Sequence, residues 1–248
     1  MLETLDLSQT LPRKAYRRDL IRYQLQLRQL AYQLYLHKRA AIIVYEGLEA
    51  SGKGSNIKRV IDKLDPRGYE VYGMGEPEGE DAAHPYLWQY WRRLKPPSEK
   101  QILIFNRSWY RRVLSDRVNA RCPRPVWRRA YYEINDFERQ LVDSGMVIAK
   151  FWIHISREEQ RARFEARRQA AHKAWKLTDA AWQQHASWAA YEEAIEDMLL
   201  RTSTVAAPWA LVEGNDKRHA RVKVLKSLVE TLSRALNYQP EDIVEEGG

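Results

Sequence analysis

The segment Gly47-Leu48-Glu49-Ala50-Ser51-Gly52-Lys53-Gly54-Ser55 carries the residue types and spacing of a phosphate cradle. Gly47 and Gly52 allow the backbone to turn its amides toward one anion, and Lys53 stands where a lysine reaches a transferred phosphoryl group from a helix N-terminus. Gly54 occupies the place where a Ser or Thr hydroxyl commonly meets Mg²⁺. Ser55 is one residue further on, and a helix rotates it by about 100°. Metal binding is therefore expected from carboxylates, Glu49 first and acids from later strands next. Mg²⁺ takes only one or two protein carboxylates beside phosphate and water.

Two basic blocks follow. Asn106 and Arg107 end an apolar run, Gln101 to Phe105, and Arg111, Arg112, Arg117, Arg121, Arg124, Arg128 and Arg129 crowd behind them, with Asp116 four residues after Arg112. Guanidinium forks at the carboxyl end of a strand suit phosphate recognition. The competing reading is a solvated basic helix face. In the second block, Arg157, Arg161, Arg163, Arg167, Arg168, Lys173 and Lys176 follow a strand ending at His154. Arg163 and Arg167, four apart, share a helix face. This block reads as a lid bringing cations over the cradle, against the plainer alternative of charged surface paired with Glu158, Glu159 and Glu165. His154 and His172 are expected to be structural or exposed, and the lone Cys122 a bystander.

These residues need a frame to hold them. Apolar runs at Ala40–Tyr45, Tyr69–Tyr72, Gln101–Phe105, Val147–His154 and Trp209–Val212 alternate with helical patterns, as in an α/β fold whose parallel sheet is covered on both faces. Helices are expected at Ile57–Leu64, Pro85–Leu94, through the arginine-rich stretch to Leu141, and from Arg157. Tyr16, Leu20, Tyr23, Leu27, Leu30 and Leu34 recur at steps of four and three, which predicts a helix over Pro12–Lys38, added to the domain surface or packed on a second subunit. The 248 residues suffice for one large domain, and no linker divides them. A net charge of +8 calls for an anionic ligand. No zinc spacing or RNA-binding signature supports nucleic acid, no run is long and apolar enough for a membrane, and the N-terminus lacks a secretion signal, so a cytoplasmic location is expected.

Several linked motifs carry a wider resemblance: Glu46-Gly47 through Lys53-Gly54, Asp65-Pro66-Arg67-Gly68, Phe105-Asn106-Arg107-Ser108-Trp109-Tyr110, Asn135-Asp136-Phe137-Glu138, Trp175-Lys176-Leu177, Ala207-Pro208-Trp209 and Asn215-Asp216-Lys217-Arg218. From about Tyr16 to Leu236 the chain resembles the polyphosphate kinase 2 family, most closely its polyphosphate:AMP phosphotransferase branch. The resemblance implies a three-layer, thymidylate-kinase-like P-loop core with a helical lid, Mg²⁺ dependence, inorganic polyphosphate as donor and a purine nucleotide as acceptor. By position it implies that Lys53 binds the transferred group, that Glu49 and Asn106 fill two acidic motif positions, that Arg107 contacts phosphate and that Asp116-Arg117 match an acidic-basic pair. The family more often has Asp at position 49, often Asp at 106 and Glu at 116.

The reading is a single P-loop phosphotransferase domain over 1–248, with a helical extension at 1–38 and a lid at 157–182. It is expected to pass phosphoryl groups between polyphosphate and AMP or ADP. Catalytic residues are expected at Lys53, Glu49, Arg107, Asp116 and Arg117, and Mg²⁺ at Glu49 and Asp116. Gly47, Gly52, Gly54, Ser55, Asn106, Arg112, Arg163, Arg167, Lys176, Lys217 and Arg218 are expected to bind substrate. A homo-oligomer is expected, because Leu25, Tyr32 and Leu36 form a second apolar line on the first helix. Rival readings are a catalytically weak binder of polyphosphate or nucleotide, an ATP-dependent nucleoside or nucleotide kinase, and a nucleic-acid-binding protein.

Overall fold

Apolar and β-branched runs form five strands in a computed structural model that describes residues 1–170 and 177–242. In chain order the elements are α1 (Arg13–Leu36), β1 (Ala41–Glu46), α2 (Lys53–Ile61), β2 (Tyr69–Gly73), α3 (Glu80–Ala83), α4 (Trp88–Trp91), β3 (Ile102–Asn106), α5 (Ser115–Val118), α6 (Arg124–Asp143), β4 (Val147–His154), α7 (Arg157–Gln169), α8 (Asp179–Ala186), α9 (Trp188–Thr202), β5 (Trp209–Glu213) and α10 (Lys217–Leu236). All strand pairs are parallel, in the order β2-β3-β1-β4-β5. β1 and β4 are buried along their whole length, which is why they read as continuous apolar runs.

Alternate residues of each strand feed opposite faces. Ile42, Val44, Leu103, Phe105, Ile148 and Trp152 pack against Ile134, Phe137 and Leu141 of α6 and Tyr191, Ile195 and Met198 of α9. Ile43, Tyr45, Ile104 and Phe151 pack against α1, α2 and α10. Each fully buried side chain of this kind stabilises the fold by roughly 1.5–3 kcal/mol. Helix α1 departs from the expected surface addition. Its Leu27, Leu30 and Leu34 are fully buried in the second cluster, so the helix is part of the core layer.

Two expected helices are broken. The stretch Pro85–Leu94 keeps only the short α4, and the arginine-rich region divides into a 3-10 turn at Trp109–Arg112, α5 and α6. Pro123 precedes α6 and Pro125 lies in its first turn, where proline suits a helix start and cannot continue one.

In the register, Tyr45 of β1 lies beside Asn106 of β3, so the loops leaving both strands emerge together. Chain leaving β1 runs to β2 on one side of the sheet, and chain leaving β3 runs to β4 on the other. That is a topological switch point, where open α/β sheets place their crevice.

Candidate functional site

The loop between β1 and α2 is strained into its shape. Gly47 has φ +149°, and a Cβ there would stand 2.6 Å from the Ile153 carbonyl, so no other residue fits. Gly52 (φ +110°) and Ala50 (φ +60°) also occupy the left-handed side of the map. The turn presents the first amides of α2, which have no helical carbonyl to bond, toward one point. Lys53 folds back along the loop, donating to the carbonyls of Gly47 at 2.6 Å and Leu48 at 3.1 Å. Burial lowers its pKa to about 8; Glu46 opposes the shift and Arg167 adds to it. Gly54 is exposed, with open space where a side chain would stand, and Ser55 spends its hydroxyl on the Gly52 carbonyl at 2.9 Å.

Across the crevice, Asn106 ends β3 and Arg107 follows at φ +67°, with its N–H bonded to the Tyr45 carbonyl at 3.0 Å. Such a conformation costs of order 1–3 kcal/mol at a non-glycine residue. Neighbouring bonds impose it. The buried carboxylate of Glu46 accepts from the Ser108 amide at 2.7 Å and hydroxyl at 2.8 Å. Behind Ser108, Glu138 accepts from the Trp109 indole at 3.0 Å and the Tyr110 hydroxyl at 2.6 Å, and Lys150 donates to Glu138 at 2.7 Å. The Arg107 guanidinium is thereby aimed at Glu49, with which it forms an ion pair. Burial raises the pKa of Glu46, while Ser108, Lys53 and Arg107 pull it back. Glu46 was not among the expected site residues; its sequence signal is a carboxylate ending an apolar strand immediately before the first loop glycine.

A cleft of about 150 Å³ opens here, lined by Glu46, Gly47, Leu48 and Glu49, by Glu76 after β2, by Arg107, Arg111, Asn119 and Arg121, and by Trp152, Gln184 and Tyr191. Glu76 pairs with Arg121 and lies 3.9 Å from Arg111, so three arginines and three glutamates line one space. Arg111 and Arg121 belong to the basic block but were not singled out by sequence. A larger groove of about 690 Å³ between α1 and α10 holds none of these groups, so chemistry and not size marks the site.

Other expected residues are placed differently. Asp116 is buried between Arg111 (3.0 Å) and Arg112 (3.6 Å) and is not among the residues that line the cleft with Glu49. Among the described residues no group of three or more His, Cys, Asp or Glu is assembled for a metal. Arg112 stacks on Tyr86 at 4.7 Å. Arg117 turns from the cleft to Asp197 at 2.7 Å, Glu193 at 2.6 Å and the face of Trp127 at 4.3 Å. Acceptors on α9 and an aromatic face on α6 draw it there, which makes it a brace and not a phosphate contact.

Of the cations expected on a lid, Arg163 is buried and fully engaged. It donates to Glu159 (2.6 Å) and to the carbonyls of Ala50 (2.8 Å), Ser51 (3.1 Å), Gly214 (2.7 Å) and Asn215 (2.9 Å). No donor is left for substrate, so it staples the cradle loop to α7. Arg167, one turn on, has no hydrogen bond or ion pair to its guanidinium among the described residues and is near enough to act on Lys53. Lys176 and His172 lie outside the described residues. Lys217 and Arg218 open α10, beside the Gly214–Asn215 segment that Arg163 holds, and Arg218 bonds Asp216 at 3.4 Å. His154 is buried against Trp152, and Cys122 is partly buried and free.

Known proteins are similar to this chain in sequence and in fold. A relative from Pseudomonas aeruginosa, named polyphosphate:AMP phosphotransferase, is 43% identical over 235 residues, which are 95% of this chain and 47% of the relative. The chain thus spans about half the length of that protein. A Meiothermus ruber protein named AMP/ADP-polyphosphate phosphotransferase is 37% identical over 221 residues, 88% of this chain and 81% of the relative. The crystal structure of polyphosphate kinase 2 from Arthrobacter aurescens superposes with a TM-score of 0.90 at 26% identity, covering all of this chain and 89% of that one. With the polyphosphate kinase 2 family model also matching residues 10–240, the chain that builds this cradle and arginine-lined cleft belongs to the polyphosphate kinase 2 family.

Proposed function

We propose that this protein transfers a phosphoryl group between inorganic polyphosphate and a purine nucleotide, AMP to ADP foremost and ADP to ATP second. The observation that carries the reading is a divided distribution of cations about one loop. Lys53 and Arg167, the latter unpaired among the described residues, stand at the cradle, where a chain of phosphates would end. Arg107, Arg111 and Arg121 stand in the cleft, where a nucleotide phosphate would approach. The Pseudomonas and Meiothermus relatives support it by name, the first for AMP and the second for both acceptors. Glu49 and Glu76 hold the cleft arginines in these positions, and an entering phosphate would take over those ion pairs.

Phosphoryl transfer asks a protein to align two oxyanions and neutralise their repulsion, and little else. Loop amides and Lys53 hold the transferred group, Arg107 spans donor and acceptor, and Lys53 keeps its charge at neutral pH with a pKa of about 8. Glu49 offers a hard oxygen donor at the cleft and is the carboxylate assigned to Mg²⁺, with phosphate and water oxygens to complete its shell, whereas Glu46 and Glu76 are engaged by Ser108 and Arg121. When bound, the ion would add charge neutralisation on the phosphate oxygens. Asn106 is proposed as a neutral hydrogen-bonding group at the end of β3, beside Tyr45 and outside the cleft lining.

The protein is further proposed to act in the cytoplasm as a homo-oligomer. Tyr32, Tyr35 and Leu36 of α1 are exposed, whereas Leu25, expected beside them, is buried. No helix among the described residues is long and apolar enough to cross a membrane. A matrix of donors (polyphosphate, ATP) against acceptors (AMP, ADP, GMP, GDP), read by product chromatography, tests the reaction. Polyphosphate-dependent ADP formation from AMP, lost in Lys53→Ala without loss of helical circular dichroism, is the expected result. Turnover with ATP alone would replace polyphosphate by a conventional kinase donor, and absence of turnover with every pair would leave a binding protein.

A further inference from the structure

Glu49 is held by residues that lie outside the loop. Its N–H donates to Gln184 Oε1 of α8 at 2.6 Å, and its carbonyl accepts from Gln160 Nε2 of α7 at 3.0 Å. Gln160 is fully buried, and its own Oε1 meets His185 Nδ1 of α8 at 2.8 Å. An amide oxygen only accepts, so His185 carries its proton on Nδ1 and fixes which way the Gln160 amide points. The next two loop carbonyls, Ala50 and Ser51, are taken by Arg163. Ala50 itself, at φ +60°, packs with Phe164, Ala181, Leu177 and Trp182. The left-handed turn at Ala50 is unfavourable for a non-glycine residue and persists only where its surroundings over-determine it.

We propose that Gln160 and Gln184 are positioning residues for phosphoryl transfer: together they clamp the Glu49 residue from both sides and so set the direction of its carboxylate over the cleft. The proposal rests on the reaction given above. A backbone held at one end only can rotate about the other, so the two glutamines act as a pair, and losing either releases the same residue.

Gln184→Leu and Gln160→Leu test it, with Gln184→Glu, which keeps an acceptor for the Glu49 N–H, as the conservative variant. One positioning hydrogen bond of ordinary strength corresponds to a loss of about fivefold in kcat. Each Leu variant is expected to lose that much, with the KM of polyphosphate and of nucleotide changed less than about twofold. The double variant should lose about as much as either single one, and Gln184→Glu should recover most of the rate. Amide exchange gives a readout that needs no turnover: the Glu49 N–H should be protected in the unaltered protein and exchange about tenfold faster in Gln184→Leu. The idea is overturned by an unchanged kcat in Gln184→Leu, by losses that multiply in the double variant, or by Glu49 exchange that Gln184→Leu leaves alone. Gln184 is only partly buried, so its variants report even if Gln160→Leu does not fold. Failure of the unaltered protein to turn over any substrate pair would refute the reaction, and the exchange measurement would still decide the clamp.

Discussion

Arg163 and Arg167 are one helical turn apart in α7, yet they do opposite work. The first spends every donor on protein acceptors, and the second spends none among the described residues. Arg163→Ala strands four buried carbonyls and a carboxylate, so it should lower stability by about 3 kcal/mol or more, measured by urea denaturation. Arg167→Ala should leave stability unchanged and raise the KM for polyphosphate about tenfold, the scale of one charge-assisted contact. An unaltered polyphosphate KM would remove Arg167 from the donor site. Lys53 sets a pH limit on the same chemistry. Burial lowers its pKa to about 8, so the charged form dominates below pH 8 and is lost as pH rises through it. Donor kcat/KM should therefore fall on the alkaline side with a midpoint near 8. The kcat profile should fall later, because bound polyanion holds the proton on. Coincident limbs in both profiles would dissociate Lys53 from the phosphate.

At the scale of elements, the buried Lys150–Glu138 pair ties β4 to α6, and through Trp109, Tyr110 and the Thr202 carbonyl it fixes the segment that carries Arg107. Desolvation pushes the Lys150 pKa down, and Glu138 is what keeps the ammonium charged. Removing one partner of such a pair leaves an uncompensated buried charge. Lys150→Met should cost about 3–5 kcal/mol in chemical denaturation, and adding Glu138→Gln should return part of it. Equal losses in the single and double variants would show that packing and not charge is at stake. The motif Ser108-Trp109-Tyr110 thus serves the site from behind, by orienting its neighbour.

For the molecule as a whole, the net charge is +8, and two arginine-rich blocks, 107–129 and 157–168, follow the third and fourth strands. A polyphosphate chain carries about one charge per phosphate and displaces counterions along its length, by analogy with nucleic acid. Its KM should rise more steeply with salt than the nucleotide KM, tested by kinetics from low to physiological ionic strength. Parallel slopes would confine donor contacts to the cradle alone. Light scattering at micromolar concentration tests the proposed association through α1, and a monomer would reject it.

The cradle, its lysine and the strand-end Asn106-Arg107 were legible in the sequence because their spacing is local: a strand, a tight glycine turn and a helix fix one another within a few residues. The alternation of apolar runs likewise determined the parallel sheet and its two covered faces. The strand order was not legible, nor was the burial of α1, since both depend on which faces meet across the chain. Side-chain role was the hardest to read. Arg117, Arg163 and Arg167 are alike in sequence, and only the tertiary structure decides that acceptors on α9 capture the first, that loop carbonyls capture the second, and that the third keeps its guanidinium unpaired among the described residues. The same holds for Glu46 and Asp116, one placed at the cleft by the sheet register and the other withdrawn from it by two guanidiniums. A charge takes its function from the partners that folding brings within hydrogen-bond reach, and those partners lie 62 to 113 residues away along much of this site.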